Sequence, residues 1–304
     1  ALQNLGPSFI KIGQALATRP DIIGPEVAFD LLKLQDQVPP FEGALAKKII
    51  EQELGATIQE LFSEFSDQPI AAASIAQVHM AKTNDGKKVA VKVLRPGIAK
   101  AFSKDLEAFL WLAKIVELFS STARRLRPTK VVETIADVIA LEMDLRIEAA
   151  AAAELKQNTQ NNPHYDVPEV DWERTSRQVL TTNWVDGIPL KDRDAIVKAK
   201  LDPVKLAENL VQSFLNQALN DGYFHADLHQ GNLFACPDNK ITAIDFGIMG
   251  RIDLKTRRAL ADILYGFANQ DYDRIAKAHF DMGYVPKDQD YVQFKQAIRA
   301  IGEP

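Results

Sequence analysis

The chain has 304 residues, of which 46% are hydrophobic and 25% are charged, a composition typical of a globular protein with one large domain or two lobes. Its formal net charge of −5 excludes the strongly basic surface of nucleic-acid-binding proteins, so we expect no nucleic-acid partner. Cys236 is the single cysteine, which excludes an internal disulfide framework and a cysteine-based structural zinc site and indicates a reducing compartment.

Residues 1–60 have the hydrophobic spacing of helices, because apolar residues recur at intervals of three and four between prolines. No uninterrupted apolar run reaches the roughly 18 residues of a membrane-spanning helix, since the stretch at 109–119 contains Lys114 and Glu117. The chain begins without an initiator Met and ends abruptly at Pro304. We therefore expect a soluble fragment of a longer protein, with any membrane attachment through regions outside it.

The next part of the sequence predicts a small β-sheet. Residues 74–82 and 88–94 are rich in strand-forming residues and enclose the turn sequence Asn84-Asp85-Gly86, a combination typical of a β-hairpin. Helical spacing returns at 99–121 and 130–159, and a short strand is predicted at 177–184. Helices are predicted from there to the end, apart from a second hairpin between Leu233 and Ile244.

Two short motifs in the last third of the chain carry the strongest functional signal. The segment from His225 to Asn232 reads HADLHQGN, and Asp245 begins an Asp-Phe-Gly sequence. In kinase catalytic loops an Asp lies near the attacking oxygen and an Asn five residues later binds Mg²⁺, and Asp227 and Asn232 have this spacing. The second predicted hairpin would bring Asp245 beside Asn232 as another metal ligand. The two motifs together predict phosphoryl transfer.

Two other interpretations of this segment stay open. His225, Asp227 and His229 alternate along the chain, and imidazole and carboxylate groups are good ligands for zinc or iron. A polar loop without chemistry is the other, but both motifs would then coincide by chance at a kinase-like separation. The remaining histidines lie in unrelated segments, which favours the phosphoryl-transfer interpretation.

Upstream, Lys92 ends the sequence Val-Ala-Val-Lys, the form of the strand lysine that contacts nucleotide phosphates in kinases. Ala71, Ala73, Ala76 and Val78 reproduce the spacing of the kinase phosphate-covering loop with alanine at each glycine position. Since alanine does not readily adopt positive φ and its Cβ holds the backbone away from a phosphate, we expect a stiffer loop that holds the nucleotide differently. The predicted nucleotide-binding residues here are Ala71, Ala72, Ala73, Ser74, Ile75, Ala76, Val78, Ala90 and Lys92.

A strand lysine of this kind needs an anionic partner on a helix. The helix predicted at 130–159 offers Glu142, Asp144 and Glu148, and Glu148 adjoins an alanine run that suits close packing. Asp144 and Glu148, four residues apart, would share a helix face and repel each other by roughly 0.2–0.5 kcal/mol unless cations serve them. This repulsion between like charges indicates a functional site. The long separation of Lys92 from Glu148 also predicts an inserted helix near 99–121.

Together with Lys11-Ile12-Gly13-Gln14 and Glu142-Met143-Asp144, these motifs resemble the UbiB (ADCK) family of atypical kinases. The sequence around 126–190 is similar to its bacterial ubiquinone-biosynthesis members, and the resemblance covers nearly the whole chain. It implies an α+β fold that is protein-kinase-like and two-lobed, with a small antiparallel sheet in the N-lobe, a helical C-lobe and an added N-terminal helical extension. The implied divisions are 1–60 for the extension, 61–186 for the N-lobe with its inserted helix and 187–304 for the C-lobe.

The resemblance also implies a role for each residue of the catalytic site. Lys92 pairs with Glu148 and contacts phosphates, Asp227 is the catalytic carboxylate, and Asn232 and Asp245 bind Mg²⁺. The implied cofactors are ATP or ADP and Mg²⁺.

Two further groups of residues are assigned by the same resemblance. The regulatory cleft consists of Lys11, Gln14, Glu142 and Asp144, with Lys11 approaching Glu142 over the nucleotide. The segment from Trp184 to Gly187 is the hinge against which adenine docks, and Trp184 and Val185 are its nucleotide-binding residues.

The resemblance implies a kinase or ATPase that supports ubiquinone biosynthesis at the cytoplasmic face of the bacterial inner membrane. Quinone precursors, lipids or other ubiquinone-biosynthesis enzymes are the implied partners. No Ala-Pro-Glu sequence follows Asp245, and residues 247–251 lead quickly into a predicted helix, so we expect no activation segment that docks peptides and no phosphorylation of proteins in trans. The alternatives are a nucleotide-gated scaffold that binds lipids or quinone precursors, and an antibiotic- or choline-type small-molecule kinase, which would not be expected to carry Lys11-x-x-Gln14 or the alanine loop.

Overall fold

The computed structural model describes residues 13, 24–31, 39–119 and 121–303, and it contains two compact units. The first unit comprises the described residues up to Ala152 together with Pro168–Trp184. The second comprises Ala153–Val167 and the described residues from Val185 onward.

The chain forms the following helices and strands. The helices are α1 (Pro25–Leu31), α2 (Gly43–Leu54), α3 (Ile58–Leu61), α4 (Ile98–Phe119), α5 (Ser121–Leu126), α6 (Pro128–Glu142), α7 (Leu145–Asn158), α8 (Arg193–Lys198), α9 (Pro203–Asn216), α10 (Leu254–Ala268), α11 (Tyr272–Met282) and α12 (Tyr291–Gly302). The strands are β1 (Phe62–Phe65), β2 (Ala71–Ala72), β3 (Ala76–Thr83), β4 (Lys88–Leu94), β5 (Tyr165–Asp166), β6 (Val179–Asn183), β7 (Ile188–Pro189), β8 (Tyr223–His225), β9 (Leu233–Cys236), β10 (Lys240–Ala243) and β11 (Met249–Arg251). A π-helical turn, Gln217–Asp221, follows α9 directly.

The first unit is built on an antiparallel sheet in the order β1-β3-β4-β6, with β2 paired to β3. The β3–β4 hairpin turns at Gly86, whose φ of 88° lies in the region that glycine adopts without steric cost. This confirms the hairpin predicted from Asn84-Asp85-Gly86.

Both faces of this sheet are covered. Val89, Val91 and Val93 point to one side and pack with residues of α2 and α3. On the opposite side, Leu180 of β6 packs with residues of α4, α6 and α7. Each fully buried aliphatic side chain contributes about 1.5–3 kcal/mol to folding, so alternation along β4 fixes which of its residues face each layer of helices.

The single helix predicted at 130–159 is wrong, because the chain leaves the helix at Met143 and Asp144. The Asp144 side chain accepts a hydrogen bond from the Arg146 backbone N–H, and the Leu145 N–H donates to the Arg177 carbonyl. These contacts replace helical hydrogen bonds at the break, and α7 begins directly after it. Neither glycine nor proline marks the break in the sequence, so periodicity alone could not reveal it.

The second unit contains a sheet in the order β5-β10-β9-β7 and a separate β8–β11 pair. The β9–β10 hairpin confirms the second predicted hairpin. Each of the helices α8 to α12 begins with an aspartate whose side chain accepts one or two backbone N–H groups of the first turn, and such a cap stabilises a helix by about 1 kcal/mol. These caps are Asp192, Asp202, Asp253, Asp271 and Asp290.

The predicted α+β, kinase-like fold class is confirmed, and the helix predicted at 99–121 forms as α4. That α4 is an insertion stays a prediction. The expectation that only one hairpin interrupts the helices after residue 184 is wrong, since β7, β8 and β11 also form. These strands have two or three residues each, too few for an alternating pattern to register. Among the described helices, none has the combination of length and hydrophobicity that crossing a membrane requires.

Candidate functional site

Lys92 and Glu148 form an ion pair within the first unit. The Lys92 Nζ lies 2.7 Å from Oε1 and 2.8 Å from Oε2 of Glu148, and the two side chains are only 19% and 10% exposed. Strand alternation directs Lys92 away from the layer that holds Val91 and Val93, and Glu148 lies in the first turn of α7, where the helix dipole favours an acid. A largely buried cation is thus held against both oxygens of one carboxylate.

The neighbouring strands place the other predicted nucleotide-binding residues around this lysine. Val78 of β3 lies directly opposite Lys92, and Ala90 lies opposite Met80. Ala90 and Lys92 are two residues apart and so share one face of the sheet.

The alanine-rich loop is a tight β2–β3 hairpin. Ala71 pairs with Val78 and Ala72 with Gln77, and the Ala73 N–H donates to the Ala76 carbonyl at 2.8 Å. None of the described residues 71–78 has a positive φ, as the alanine substitutions predict. The Ser74 hydroxyl at its tip is buried and has no hydrogen-bond partner within the described part of the chain.

Arg95 fastens this loop, a role that sequence reasoning missed. Its Nε donates to the Ala73 carbonyl at 2.9 Å, and its backbone N–H donates to the Ile75 carbonyl at 2.8 Å. Its guanidinium also donates to the Pro39 carbonyl at 2.9 Å. In the sequence, the position of Arg95 three residues after the strand lysine could have indicated its contact with this loop.

The prediction that Asp144 and Glu148 share one helix face is wrong, and each of the two carboxylates has a cationic partner, Arg146 for Asp144 and Lys92 for Glu148. Asp144 lies in the break before α7 and accepts two hydrogen bonds from the Arg146 guanidinium, at 2.9 and 2.6 Å. These bonds hold the pKa of the Asp144 carboxyl below its usual range. Glu142 is the last residue of α6, whereas Lys11 and Gln14 lie outside the described residues, so the regulatory cleft stays a prediction.

In the second unit, Asp227 and Asn232 lie in the loop between β8 and β9. The Asn232 Nδ2 donates to the Asp227 carbonyl at 3.2 Å and to its Oδ2 at 3.3 Å. Asn232 is 8% exposed, whereas the Asp227 side chain is 42% exposed. Because the side-chain amide nitrogen of Asn232 faces Asp227, the side-chain oxygen Oδ1 points away from Asp227 and can serve as a metal ligand.

The β9–β10 hairpin folds the chain back so that Asp245 returns to the neighbourhood of Asn232. Leu233 pairs with Ala243, and the Ile244 N–H donates to the Asn232 carbonyl at 3.0 Å. The next residue is Asp245, whose Oδ1 accepts from the Gly247 N–H at 3.2 Å. The hairpin therefore does what its sequence predicts and brings the two motifs together.

His225 is buried and contacts residues of both motifs. It is 1% exposed, its Nδ1 accepts from the Asp227 N–H at 3.1 Å, and its ring packs on Phe246 with centroids 5.6 Å apart. Burial lowers the pKa of its imidazole, although the Asp245 backbone and the nearby carboxylates oppose this effect. A neutral His225 fits its acceptor role towards Asp227.

His229 is exposed and is oriented by a backbone contact. Its Nδ1 accepts from the Gly231 N–H at 3.0 Å, so Nε2 carries the proton, 3.7 Å from the Asp227 Oδ2. Both His225 and His229 thus use Nδ1 for backbone contacts. No group of three His, Cys, Asp or Glu side chains that could hold a metal ion occurs in the described part of the chain.

The segment after Asp245 is short, as predicted. Met249 to Arg251 form β11, which pairs with β8, and α10 begins at Leu254. Arg251 forms an ion pair with Glu154 at 2.8 Å and lies over the Tyr223 ring. This strand occupies the position in sequence where an activation segment would begin.

The predicted hinge coincides with the boundary between Trp184 and Val185 that separates the two units. The Trp184 N–H donates to the Lys88 carbonyl at 3.1 Å, which continues the β4–β6 pairing. In the second unit, Gly187 lies too close to Cys236 for a larger residue, since a Cβ at this position would lie 2.9 Å from the Cys236 Sγ. Contact of Trp184 and Val185 with adenine stays a prediction.

Residues 33–279 match the family model described as the ABC1 atypical kinase-like domain. The chain is 43% identical over 308 residues to a protein named "Probable protein kinase UbiB" from Marinobacter nauticus, covering 100% of this chain and 56% of that protein. It is 41% identical to a protein of the same name from Pseudomonas fluorescens, covering 58% of that protein. The chain thus spans somewhat more than half the length of these relatives.

A solved structure also resembles this chain. It is titled "The complex structure of Rv3197-erythromycin from Mycobacterium tuberculosis", and it aligns with a TM-score of 0.67 and 26% identity. The alignment covers 92% of this chain and 70% of that one.

Proposed function

This chain belongs to the UbiB family of ABC1 atypical kinase-like proteins, and from that premise we propose that it is an ATP- and Mg²⁺-dependent phosphotransferase or ATPase. Asp227 is the proposed catalytic carboxylate, Asn232 and Asp245 the proposed Mg²⁺ ligands, and Lys92 with Glu148 the proposed phosphate contact. The observation that carries the proposal is the Asp227–Asn232 contact together with the hairpin that returns Asp245 to Asn232.

The residues present fit a magnesium site of the kinase type. Mg²⁺ prefers oxygen ligands and is commonly bound by one or two protein groups together with substrate phosphates. The side-chain oxygen Oδ1 of Asn232 and the Asp245 carboxylate supply such groups. When bound, Mg²⁺ would neutralise charge on the phosphate oxygens.

The remaining residues either contact the phosphates or orient Asp227. The Lys92 ammonium offers a cation to phosphate oxygens, and Glu148 keeps it in one position. Asp227 can accept a hydrogen bond from the attacking hydroxyl or water, because its carboxylate is partly exposed. His225 and Asn232 fix the backbone and carboxylate of Asp227.

Magnesium-dependent nucleotide binding tests this proposal. Asp245→Asn should remove most of the dependence of ATP binding on Mg²⁺, because an amide is a poorer ligand than a carboxylate. Asp238→Asn is the matched control, since Asp238 lies in the turn of the same hairpin and is exposed. Calorimetric titration of each variant with ATP, with and without Mg²⁺, gives the comparison.

The proposal requires the two variants to differ in the Mg²⁺ dependence of their ATP binding. We expect Asp238→Asn to bind like the wild type and Asp245→Asn to bind with about the weak affinity of the wild type without Mg²⁺. Undiminished Mg²⁺ dependence in Asp245→Asn contradicts the assignment of the metal ligand.

We further propose that the whole protein supports ubiquinone biosynthesis and does not phosphorylate proteins in trans. The UbiB designation of the relatives supports the first part. Their name also calls them probable protein kinases, so the second part rests on the short connection from Asp245 through β11 to α10. The acceptor is then water or a small molecule. Phosphate transfer from ATP to a generic protein substrate by the purified chain would contradict this.

A scaffold that binds lipids or quinone precursors is the second candidate. One observation favours it: Trp111, Leu118 and Phe119 of α4 are 68%, 70% and 82% exposed, near the exposed Arg124 and Arg125. Exposed apolar residues beside basic ones are typical of surfaces that bind lipid or partner proteins.

Complementation of a ubiquinone-deficient strain separates the two candidates. Full-length protein carrying Asp227→Asn should fail to restore ubiquinone if turnover is the biological output. Restoration by a variant that binds ATP without hydrolysing it would favour the scaffold.

A further inference from the structure

Arg95 holds both sides of the turn at the tip of the alanine-rich loop. Its backbone N–H donates to the Ile75 carbonyl, which extends the β3–β4 pairing by one hydrogen bond. Its side-chain Nε donates to the Ala73 carbonyl on the β2 side of the same turn. Because β2 has only two residues and pairs with β3, the hairpin by itself is marginally stable. Arg95 supplies support that the hairpin lacks.

The same guanidinium contacts the segment that precedes α2. Its Nη2 donates to the Pro39 carbonyl at 2.9 Å, and its Cζ lies 5.8 Å from the centroid of the Phe41 ring, which is within the range of a cation–π contact. A guanidinium group is planar and its N–H donors point in fixed directions, so the carbonyls of Ala73 and Pro39 are held in a fixed relation. One side chain thus links the loop to residues 39–41.

Gln77 makes a second link between the hairpin and this segment. It is buried in β3, where its Oε1 accepts from the Phe41 N–H at 3.0 Å and its Nε2 donates to the Phe41 carbonyl at 3.2 Å. The Gln77 Nε2 also lies 2.8 Å from the His79 Nε2. Since the His79 Nδ1 lies 2.8 Å from the Ser66 carbonyl, Nδ1 carries the proton and Nε2 accepts from Gln77. These contacts fix the orientation of the Gln77 amide.

We propose that Arg95 is a positioning residue for the nucleotide phosphates, through which residues 39–41 set the position of the alanine-rich loop. This inference rests on the proposed function, in which the loop covers the phosphates. A site that is held in one conformation before its ligand arrives binds more tightly than a site that the ligand must order. Because Arg95 acts through the loop, its loss should weaken binding of the phosphates and leave binding of adenosine unchanged.

Arg95→Gln and Arg95→Lys test this role, because neither side chain has the guanidinium fork that serves two carbonyls at once. Arg174→Gln is the matched control. Arg174 makes the same two kinds of contact, since its Nε donates to the Leu61 carbonyl at 2.9 Å and its Cζ lies 6.0 Å from the Phe62 ring centroid. Phe62 pairs with Thr83, the residue at the end of β3 opposite to the loop.

Amide hydrogen exchange without nucleotide measures the link itself. The reporters are the Ala73 N–H, which donates to the Ala76 carbonyl, and the Phe41 N–H, which donates to the Gln77 side chain. Both should exchange about tenfold faster in the two Arg95 variants, as expected for the loss of a hydrogen bond from a charged group, and at the wild-type rate in Arg174→Gln. Exchange of the Ala73 N–H at the wild-type rate in both Arg95 variants would overturn the proposal.

Calorimetric titration with ATP and Mg²⁺, and separately with adenosine, measures the consequence for binding. We expect the affinity for ATP to fall about tenfold in both Arg95 variants, the affinity for adenosine to stay unchanged, and neither affinity to change in Arg174→Gln. Equal losses for ATP and adenosine, or the same losses in Arg174→Gln, would show a general structural role and overturn the proposal. Failure of the wild type to bind ATP would contradict the proposed function, whereas the exchange measurement decides the Arg95 link without nucleotide.

Discussion

The candidate catalytic groups of the two units are held in opposite ways. In the first unit, Lys92 is supported by a sheet with helices on both faces, and its charge is paired with Glu148 in a largely buried position. In the second unit, Asp227 is in a loop, and its carboxylate is 42% exposed. The contacts that fix Asp227 run through its backbone and through neutral partners, His225 and Asn232.

This difference has an energetic consequence. A buried charge that loses its partner destabilises the fold, whereas a partly exposed carboxylate can lose its charge at little cost. We therefore expect stability and activity to change together in the first unit and separately in the second.

The largest effect on stability is expected for Glu148→Ala. It breaks the largely buried ion pair with Lys92 by removing one partner, which typically costs about 3 kcal/mol. ATP turnover should also fall to background, because Lys92 loses its fixed position. Urea unfolding and phosphate release measured on the same preparation give both quantities.

A double variant is the control for Glu148→Ala. Replacing both partners, Lys92→Met with Glu148→Leu, removes both charges of the pair and should recover most of the lost stability without recovering any turnover. If the double variant is as unstable as Glu148→Ala, packing rather than charge explains the loss.

Acid should affect both units in the same direction. Burial lowers the pKa of His79 in the first unit and of His225 in the second, so both are neutral when folded. Above the ordinary histidine value of about 6.5 their contribution to stability is complete, and it is lost as pH falls towards the folded pKa, since the unfolded chain then binds protons that the folded chain does not.

The imidazole resonances of these two histidines measure this effect. Both should titrate at lower pH in the folded chain than in the chain unfolded by urea. A folded midpoint at or above the unfolded one for either histidine would show that its local contacts outweigh burial.

A smaller effect is expected from Ala73→Gly in the alanine-rich loop. Stability should fall by about 0.4–1 kcal/mol through the greater freedom of the unfolded chain, and the ratio of ATP to ADP affinity should change. Ala199→Gly in the second unit is the control, because Ala199 is exposed at the end of α8. Identical nucleotide ratios in wild type and Ala73→Gly would contradict the role given to this loop.

Much of the candidate site could be predicted because its signals are local. The spacing from Asp227 to Asn232 and the turn residues of the β9–β10 hairpin are short-range features, and they gave the neighbourhood of Asp245 correctly. The turn at Gly86 and the alanine loop follow the same principle. Such features depend on φ preferences and strand alternation, which the sequence encodes directly.

The sequence-based predictions failed where contacts between residues distant in sequence override local conformational preferences. The break at Asp144 depends partly on the Leu145 N–H meeting the Arg177 carbonyl, and no local residue announces it. The loop contact of Arg95 and the placement of Gln217 against His225 likewise require the folded chain. Short strands such as β8 and β11 form because they pair with each other, without a pattern of their own.

Phosphate release by Asp227→Asn, compared with wild type in the presence of ATP and Mg²⁺, is the most direct test of the proposed chemistry. We expect a fall in turnover of roughly 10²–10⁴-fold, the usual contribution of a positioned catalytic acid or base, with an unchanged urea unfolding midpoint. Undiminished turnover would contradict the catalytic role of Asp227. A loss of turnover that is matched by a loss of stability would instead show that this carboxylate holds the fold.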